Sequence, residues 1–192
     1  MIELKEKFSV PAPPDEVWPL MSDPAVVAAC IPGAELTELT ADGAHRGKVT
    51  FKFGPTVAVF RGEAKLTYDH PVKRCLIEAR GIDQKGASRA RARFDLEARG
   101  TDTTDVTMEG GFEVAGPLEM FASAGGVHVA RVLMAEFAAN IANVIERRRQ
   151  GDTTVASNAA PASGTKILGR ALLDGARGLI GKSDGKIDKG ST

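Results

Sequence analysis

Only two cysteines occur in the 192 residues, Cys30 and Cys75, too few for a disulfide framework, so a reducing cytoplasm is the expected setting. Histidine is almost as scarce, at three. His45 and His70 are expected in turns and His128 off the apolar stripe of a helix, so the spacing offers no metal-ligand cluster. No stretch approaches the roughly 18 apolar residues that a membrane span needs. The first residues show no basic segment followed by an apolar one, so no secretory leader is expected. A Gly-rich phosphate loop and a Ser or Cys nucleophile motif are both missing. Lys+Arg and Asp+Glu balance at 25 each, which removes the polycationic footprint of a nucleic-acid binder. Residues 1–150 carry 19 basic and 21 acidic side chains and residues 151–192 carry 6 and 4, so the end is weakly basic and favours anionic surfaces.

What remains is an ordinary soluble composition, 43% hydrophobic and 26% charged. Ile2, Leu4, Phe8 and Val10 alternate with polar residues, with Glu6 as the exception, and predict a half-buried strand. Pro11 to Glu16 is a helix-opening signature. It predicts a short helix over Asp15–Met21, and a second follows over Ala25–Cys30, ended by Pro32-Gly33. From Ala34 to Ala115 the period is two. Strands are expected at Glu35–Thr40, His45–Phe53, Val57–Asp69, Arg74–Ile82, Ser88–Arg99 and Thr104–Ala115, with short turns that require antiparallel neighbours. Gly116-Pro117 then opens a long helix to about Arg149, with Met120, Ser123, Val127, Ala130, Met134, Phe137, Ile141 and Ile145 as its apolar stripe and Asn140 roughly opposite. The fold class is α+β, an antiparallel sheet with its helices on one face.

Alternation assigns the inner face. Ala58, Phe60, Gly62, Ala64, Leu66 and Tyr68 point inward on one strand; Ala90, Ala92, Phe94, Leu96 and Ala98 on the next but one; Val106, Met108, Gly110, Phe112 and Val114 on the last. The outward Arg89, Arg91, Arg93 and Arg99 are expected to meet Asp105, Glu109 and Glu113 across the last hairpin. Two readings of the many small inward residues stand. They leave a hollow, which a ligand fills because interiors tolerate few voids, or they let the sheet curve and the helix sit close. The inner face from His45 onward carries no Asp, Glu, His, Lys or Arg, so general acid–base equipment is missing. The contacts expected for an apolar ligand are Phe51, Phe53, Phe60, Leu66, Ile77, Ala92, Phe94, Met108, Phe112, Met134 and Phe137.

Phe8-Ser9-Val10-Pro11-Ala12-Pro13, Glu16-Val17-Trp18, Asp23-Pro24, Cys30-Ile31-Pro32-Gly33-Ala34 and Phe60-Arg61-Gly62 resemble the G-subunit family of carbon monoxide dehydrogenase, within the START/Bet v 1-like (SRPBCC) superfamily. The resemblance covers about residues 1–149, and the Cys-Ile-Pro-Gly-Ala segment is its most specific part. It implies a helix-grip fold, a curved seven-stranded antiparallel sheet around a long C-terminal helix with two short helices after the first strand. It further implies an accessory protein of a molybdenum-hydroxylase-type dehydrogenase that recruits to the membrane and carries a lipophile, menaquinone or ubiquinone. It supplies no catalytic residue and no covalently bound cofactor.

Residues 150–164 read as a flexible linker, with a mean reach of roughly 20 Å. Residues 165–182 read as an amphipathic helix with Leu168, Leu172, Leu173, Leu179 and Ile180 on one side and Lys166, Arg170 and Arg177 on the other; residues 183–192 read as a solvated end. Gly169, Gly175, Gly178 and Gly181 each cost roughly 1 kcal/mol of helix, so this segment is expected to fold only on a surface. That surface is the inner face of the cell membrane, or else a protein. Two rivals to the carrier are an assembly factor without ligand and a START-like cyclase or hydrolase.

Overall fold

A computed structural model describes residues 1–53 and 56–152, with the side chain of Phe53 left aside. The linker, the tail helix with Leu168, Arg170, Leu172, Leu173, Arg177, Leu179 and Ile180, and the solvated end therefore lie outside the described residues. The element order is β1 (Ile2–Val10), α1 (Pro14–Met21), α2 (Pro24–Cys30), β2 (Ala34–Leu39), β3 (His45–Phe53), β4 (Thr56–Asp69), β5 (Arg74–Asp83), β6 (Arg89–Gly100), β7 (Thr104–Ala115) and α3 (Glu119–Arg149). Both short helices begin one residue earlier than expected, on Pro14 and Pro24, because a proline at the first helical position loses no hydrogen bond. Asp23 caps α2, accepting from the backbone N–H of Ala25 at 2.9 Å and Val26 at 3.3 Å. The long helix opens at Glu119, later than expected. Gly116 sits at φ 97° and the Leu118 N–H donates to Ser88 Oγ at 3.1 Å, so residues 116–118 form a turn that ties the helix to the sheet.

The sheet has seven antiparallel strands in the order β1-β7-β6-β5-β4-β3-β2. Consecutive strands are neighbours except β1, which joins the far edge beside β7, while α1 and α2 carry the chain across to β2. The helix-grip arrangement follows, with α3 lying chiefly along β1 and β7. That edge position alters one expectation, the choice of ion-pair partners. Arg91 and Arg99 do stand opposite Glu113 and Asp105 across the hairpin, but the ion pairs form with β1: Lys5 meets Glu109 at 2.7 Å and Lys7 meets Asp105 at 2.8 Å. Arg93 turns the other way, to Glu78 on β5, and Arg99 to Glu97.

The filled core occupies one end of the molecule. Val10, Val17, Trp18, Leu20, Val26, Cys30, Leu96, Ala98, Val106, Ile141, Val144 and Ile145 form one buried cluster of α1, α2, the C-terminal half of α3 and the adjoining strand ends. Asn140, expected away from this packing, is partly buried and donates to the Cys30 carbonyl at 2.9 Å, joining α3 to α2. The N-terminal half of α3 follows a different rule. Met120 is 72% exposed and Ser123 is exposed, whereas Ala122 and Gly126 face the sheet. A Cβ on Gly126 would lie 2.7 Å from the Phe112 ring, so the helix reaches β7 through its smallest residues, and the stripe of large residues expected there is displaced.

Candidate functional site

Register fixes what faces α3. Ala64, Ala79, Ala92 and Phe112 stand in one row across β4, β5, β6 and β7; Leu66, Ile77, Phe94 and Gly110 stand in the next. On β3 and β4, Val49 pairs with Phe60 and Phe51 with Ala58, and the rings of Phe51 and Phe60 meet edge to face at 6.2 Å. The residues expected on the inner face therefore do share it. Their exposure divides them. Leu66, Ile77 and Phe137 pack against the filled core, with Phe137 edge-on to Phe8 at 5.9 Å. Phe60 is buried at 8%. Phe51, Ala92, Phe94, Met108 and Phe112 share the inner parity of the sheet, Met134 lies on α3, and all six are only half-buried. This part of the inner face is thus less tightly covered than the cluster at the other end.

Of the two mechanisms weighed for the small residues, close approach is visible. Gly47, Gly62, Gly81 and Ala90 form one cross-strand row from β3 to β6. A Cβ on Gly62 would run into the Arg80 carbonyl oxygen, so this row needs glycine for close backbone approach. The neighbouring row carries the short side chains of Ala64, Ala79 and Ala92.

The inner face is less bare than expected. Glu6 pairs with Met108 in register and so shares its face, where Arg131 Nε on α3 donates to Glu6 Oε1 at 2.6 Å. Strict alternation on β1 contained that signal, since Leu4, Glu6 and Phe8 have one parity. His45 opens β3 opposite Ala64 and does not sit in a turn. Asp83 extends β5 opposite Phe60 and is buried, accepting from the Ser88 N–H at 2.6 Å and the Lys85 N–H at 3.3 Å. It closes the β5–β6 turn, so its carboxylate is occupied by backbone.

At the filled end, Trp18 Nε1 donates to His70 Nδ1 at 3.1 Å, and His70 stacks on Tyr68 with centroids 5.6 Å apart. Desolvation, with Cys75 nearby, pushes the Tyr68 hydroxyl up to about 12. Burial raises the thiols of Cys30 and Cys75 to about 11 each, with Arg147 partly opposing this at Cys30. These groups are held neutral and packed, which suits structure. Among the described residues no group of His, Cys, Asp and Glu could hold a metal ion, and no helix is long and apolar enough to cross a membrane.

Solved structures with the same fold are distant in sequence. A conserved protein from Geobacillus kaustophilus matches with a TM-score of 0.67 at 17% identity, over 76% of this chain and 96% of that one. The Zhui aromatase/cyclase from Streptomyces sp. R1128 matches at 0.54 and 15%, over 77% and 94%. A protein from Thermus thermophilus matches at 0.53 and 16%, over 74% and 98%. No curated protein matches. At these identities the likeness fixes the fold alone, and the family comes from the sequence itself: the model of CoxG, the G subunit of carbon monoxide dehydrogenase, matches residues 7–146, and the chain belongs to that family.

Proposed function

We propose that this chain is a non-catalytic accessory protein that binds a respiratory quinone, menaquinone or ubiquinone, between its sheet and α3. It links a molybdenum-hydroxylase-type dehydrogenase, such as carbon monoxide dehydrogenase, to the inner face of the cell membrane. One observation carries the reading. Phe51, Phe94, Met108 and Phe112 on the inner face of the sheet, and Met134 on α3, remain half-buried, whereas the opposite end of the same interior is packed shut. Apolar surface left accessible inside a fold is stabilised by an apolar guest, at about 25 cal/mol per Å² removed from water. Two carboxylates share that face, and neither is free to act as a general base: Glu6 is engaged by Arg131 and Asp83 by the N–H groups of Lys85 and Ser88. The tail would hold the domain near the bilayer and the linker would let it reach the enzyme.

Organic extraction of purified full-length protein, followed by mass spectrometry, tests the carrier. A quinone recovered at near one per chain is the expected result. Protein that carries no lipophile, and whose melting temperature does not respond to added menaquinone, refutes it. A cyclase or hydrolase would rely on Glu6, so E6Q would abolish any turnover; on the carrier reading E6Q leaves the extracted lipophile in place. Co-sedimentation with liposomes, full chain against a variant lacking 165–182, tests the anchor; equal binding removes it.

A further inference from the structure

The outer face of the sheet, on the other side of the Gly47–Gly62–Gly81–Ala90 row, holds a groove of about 540 Å³. Its walls are Arg46, Lys48, Arg61, Arg80, Arg89 and Arg91, and Glu63 is the one acid among its lining residues. Register places them in two rows across the strands. Arg46, Glu63, Arg80 and Arg91 stand in one; Lys48, Arg61, Ile82 and Arg89 stand in the other. Some of this charge is balanced. Arg46 pairs with Glu38 and reaches Glu63 at 3.7 Å, Arg80 pairs with Glu63, and Lys48 pairs with Glu35 at 3.0 Å.

Arg61, Arg89 and Arg91 make no ion pair with any described residue, and Glu113, opposite Arg91 in register, does not close on it. Six cations against the three carboxylates that engage them leave a local excess of three in a chain whose formal charge is zero. Arg80 and Arg91 are direct cross-strand neighbours, an arrangement that like charge destabilises. Ile82, 47% exposed, lies between Arg61 and Arg89.

We propose that this groove is a binding site for a ligand bearing two or more phosphate groups. Guanidinium groups present paired N–H donors that match phosphate oxygens, and five of the six cations are arginine. Arg61, Arg89 and Arg91 leave three cationic groups without an ion pair, and a ligand with two or more phosphates supplies the charge to match them. The volume falls within the range of small-molecule sites, about 300–1,000 Å³, and Ile82 offers the ligand an apolar contact. The phosphates come either from a soluble compound or from clustered lipid headgroups. The site is separate from the hollow, whose occupant it does not depend on.

Full-length protein is titrated calorimetrically with pyrophosphate and ATP at low ionic strength, against sodium chloride of equal ionic strength, and is co-sedimented with phosphatidylglycerol vesicles. Wild type is compared with R61Q/R89Q/R91Q and with R93Q, whose arginine lies on β6 outside the groove lining and pairs with Glu78. Pyrophosphate or ATP binding that weakens at least tenfold in the triple variant and persists in R93Q establishes the site with a soluble ligand. Vesicle binding that falls in the triple variant, with pyrophosphate and ATP inert, establishes it with headgroups. Absence of binding by every probe, or binding that the triple variant retains, overturns the proposal. Thermal unfolding of the triple variant checks that the fold is kept.

Discussion

Ala92 and Ala98 lie on one strand and one face, and they separate a hollow interior from a filled one without any knowledge of the ligand. Ala98 is 3% exposed and stands opposite Val106, itself fully buried, inside the packed cluster. Ala92 is half-buried between Ala79 and Phe112, outside that cluster. Replacing either by leucine adds three carbons. In a packed site such overfilling costs about 1–3 kcal/mol. In open apolar space the same carbons gain up to about 0.8 kcal/mol each on burial, so the net change stays near zero or turns favourable. A98L is therefore expected to lose about 1–3 kcal/mol and A92L less than about 1 kcal/mol. In a chain of this size each kcal/mol moves the melting temperature by about 2–4 °C. Urea denaturation followed by circular dichroism reads both variants, and extraction reads the lipophile, which A92L should reduce and A98L should leave in proportion to folded protein. If A92L is as destabilising as A98L, the space beside Phe112 is filled and the carrier reading loses its basis.

Adjacent glycines of α3 should answer alanine with opposite signs. At Gly125 a Cβ meets nothing within 4 Å, so G125A is expected to stabilise by about 0.5–1 kcal/mol through helix propensity. At Gly126 it meets the Phe112 ring at 2.7 Å, so G126A is expected to destabilise, and equal melting shifts for the two would contradict the packing. Removing the α2 cap with D23A should cost about 1 kcal/mol in urea denaturation, and no change would mean that the two bonds to Ala25 and Val26 contribute nothing. Alkali should weaken the fold through its thiols. Below pH 9 folded and unfolded chains both keep these protons; between 9.0 and about 11 the unfolded chain releases them while Cys30 and Cys75 hold theirs. Stability then falls by up to about 1.4 kcal/mol per pH unit for each thiol. The C30A/C75A variant should show a shallower loss over that window, and an identical slope would refute the assignment.

Much of this protein was legible as period and punctuation. Alternation over residues 34–115 placed six strands to within a residue or two, because a side-chain period of two has no other regular solution and Asp42-Gly43, His70-Pro71 and residues 100–102 break it cleanly. The inner face of β4 and β6 followed from the same parity, and Cys-Ile-Pro-Gly-Ala pointed to the family that residues 7–146 then matched. The sequence also contained Glu6 in its inward position; reading it as an exception to the pattern hid the one inner carboxylate that α3 engages.

What only the tertiary structure decided depends on neighbours distant in the chain. The partner of β1 is β7, more than 90 residues away by register, and that pairing supplies Lys5 and Lys7 as the ion-pair partners of Glu109 and Asp105. Which end of the interior is packed was equally invisible, because α1 and α2 close it from a distance set by the crossover between the sheet edges. The seat of α3 on Gly126 instead of on its larger residues depends on the position of one ring, Phe112, that periodicity cannot locate. Local pattern determines which face a side chain takes; whether that face meets atoms, ligand or water is determined by strands and helices that the local pattern does not contain.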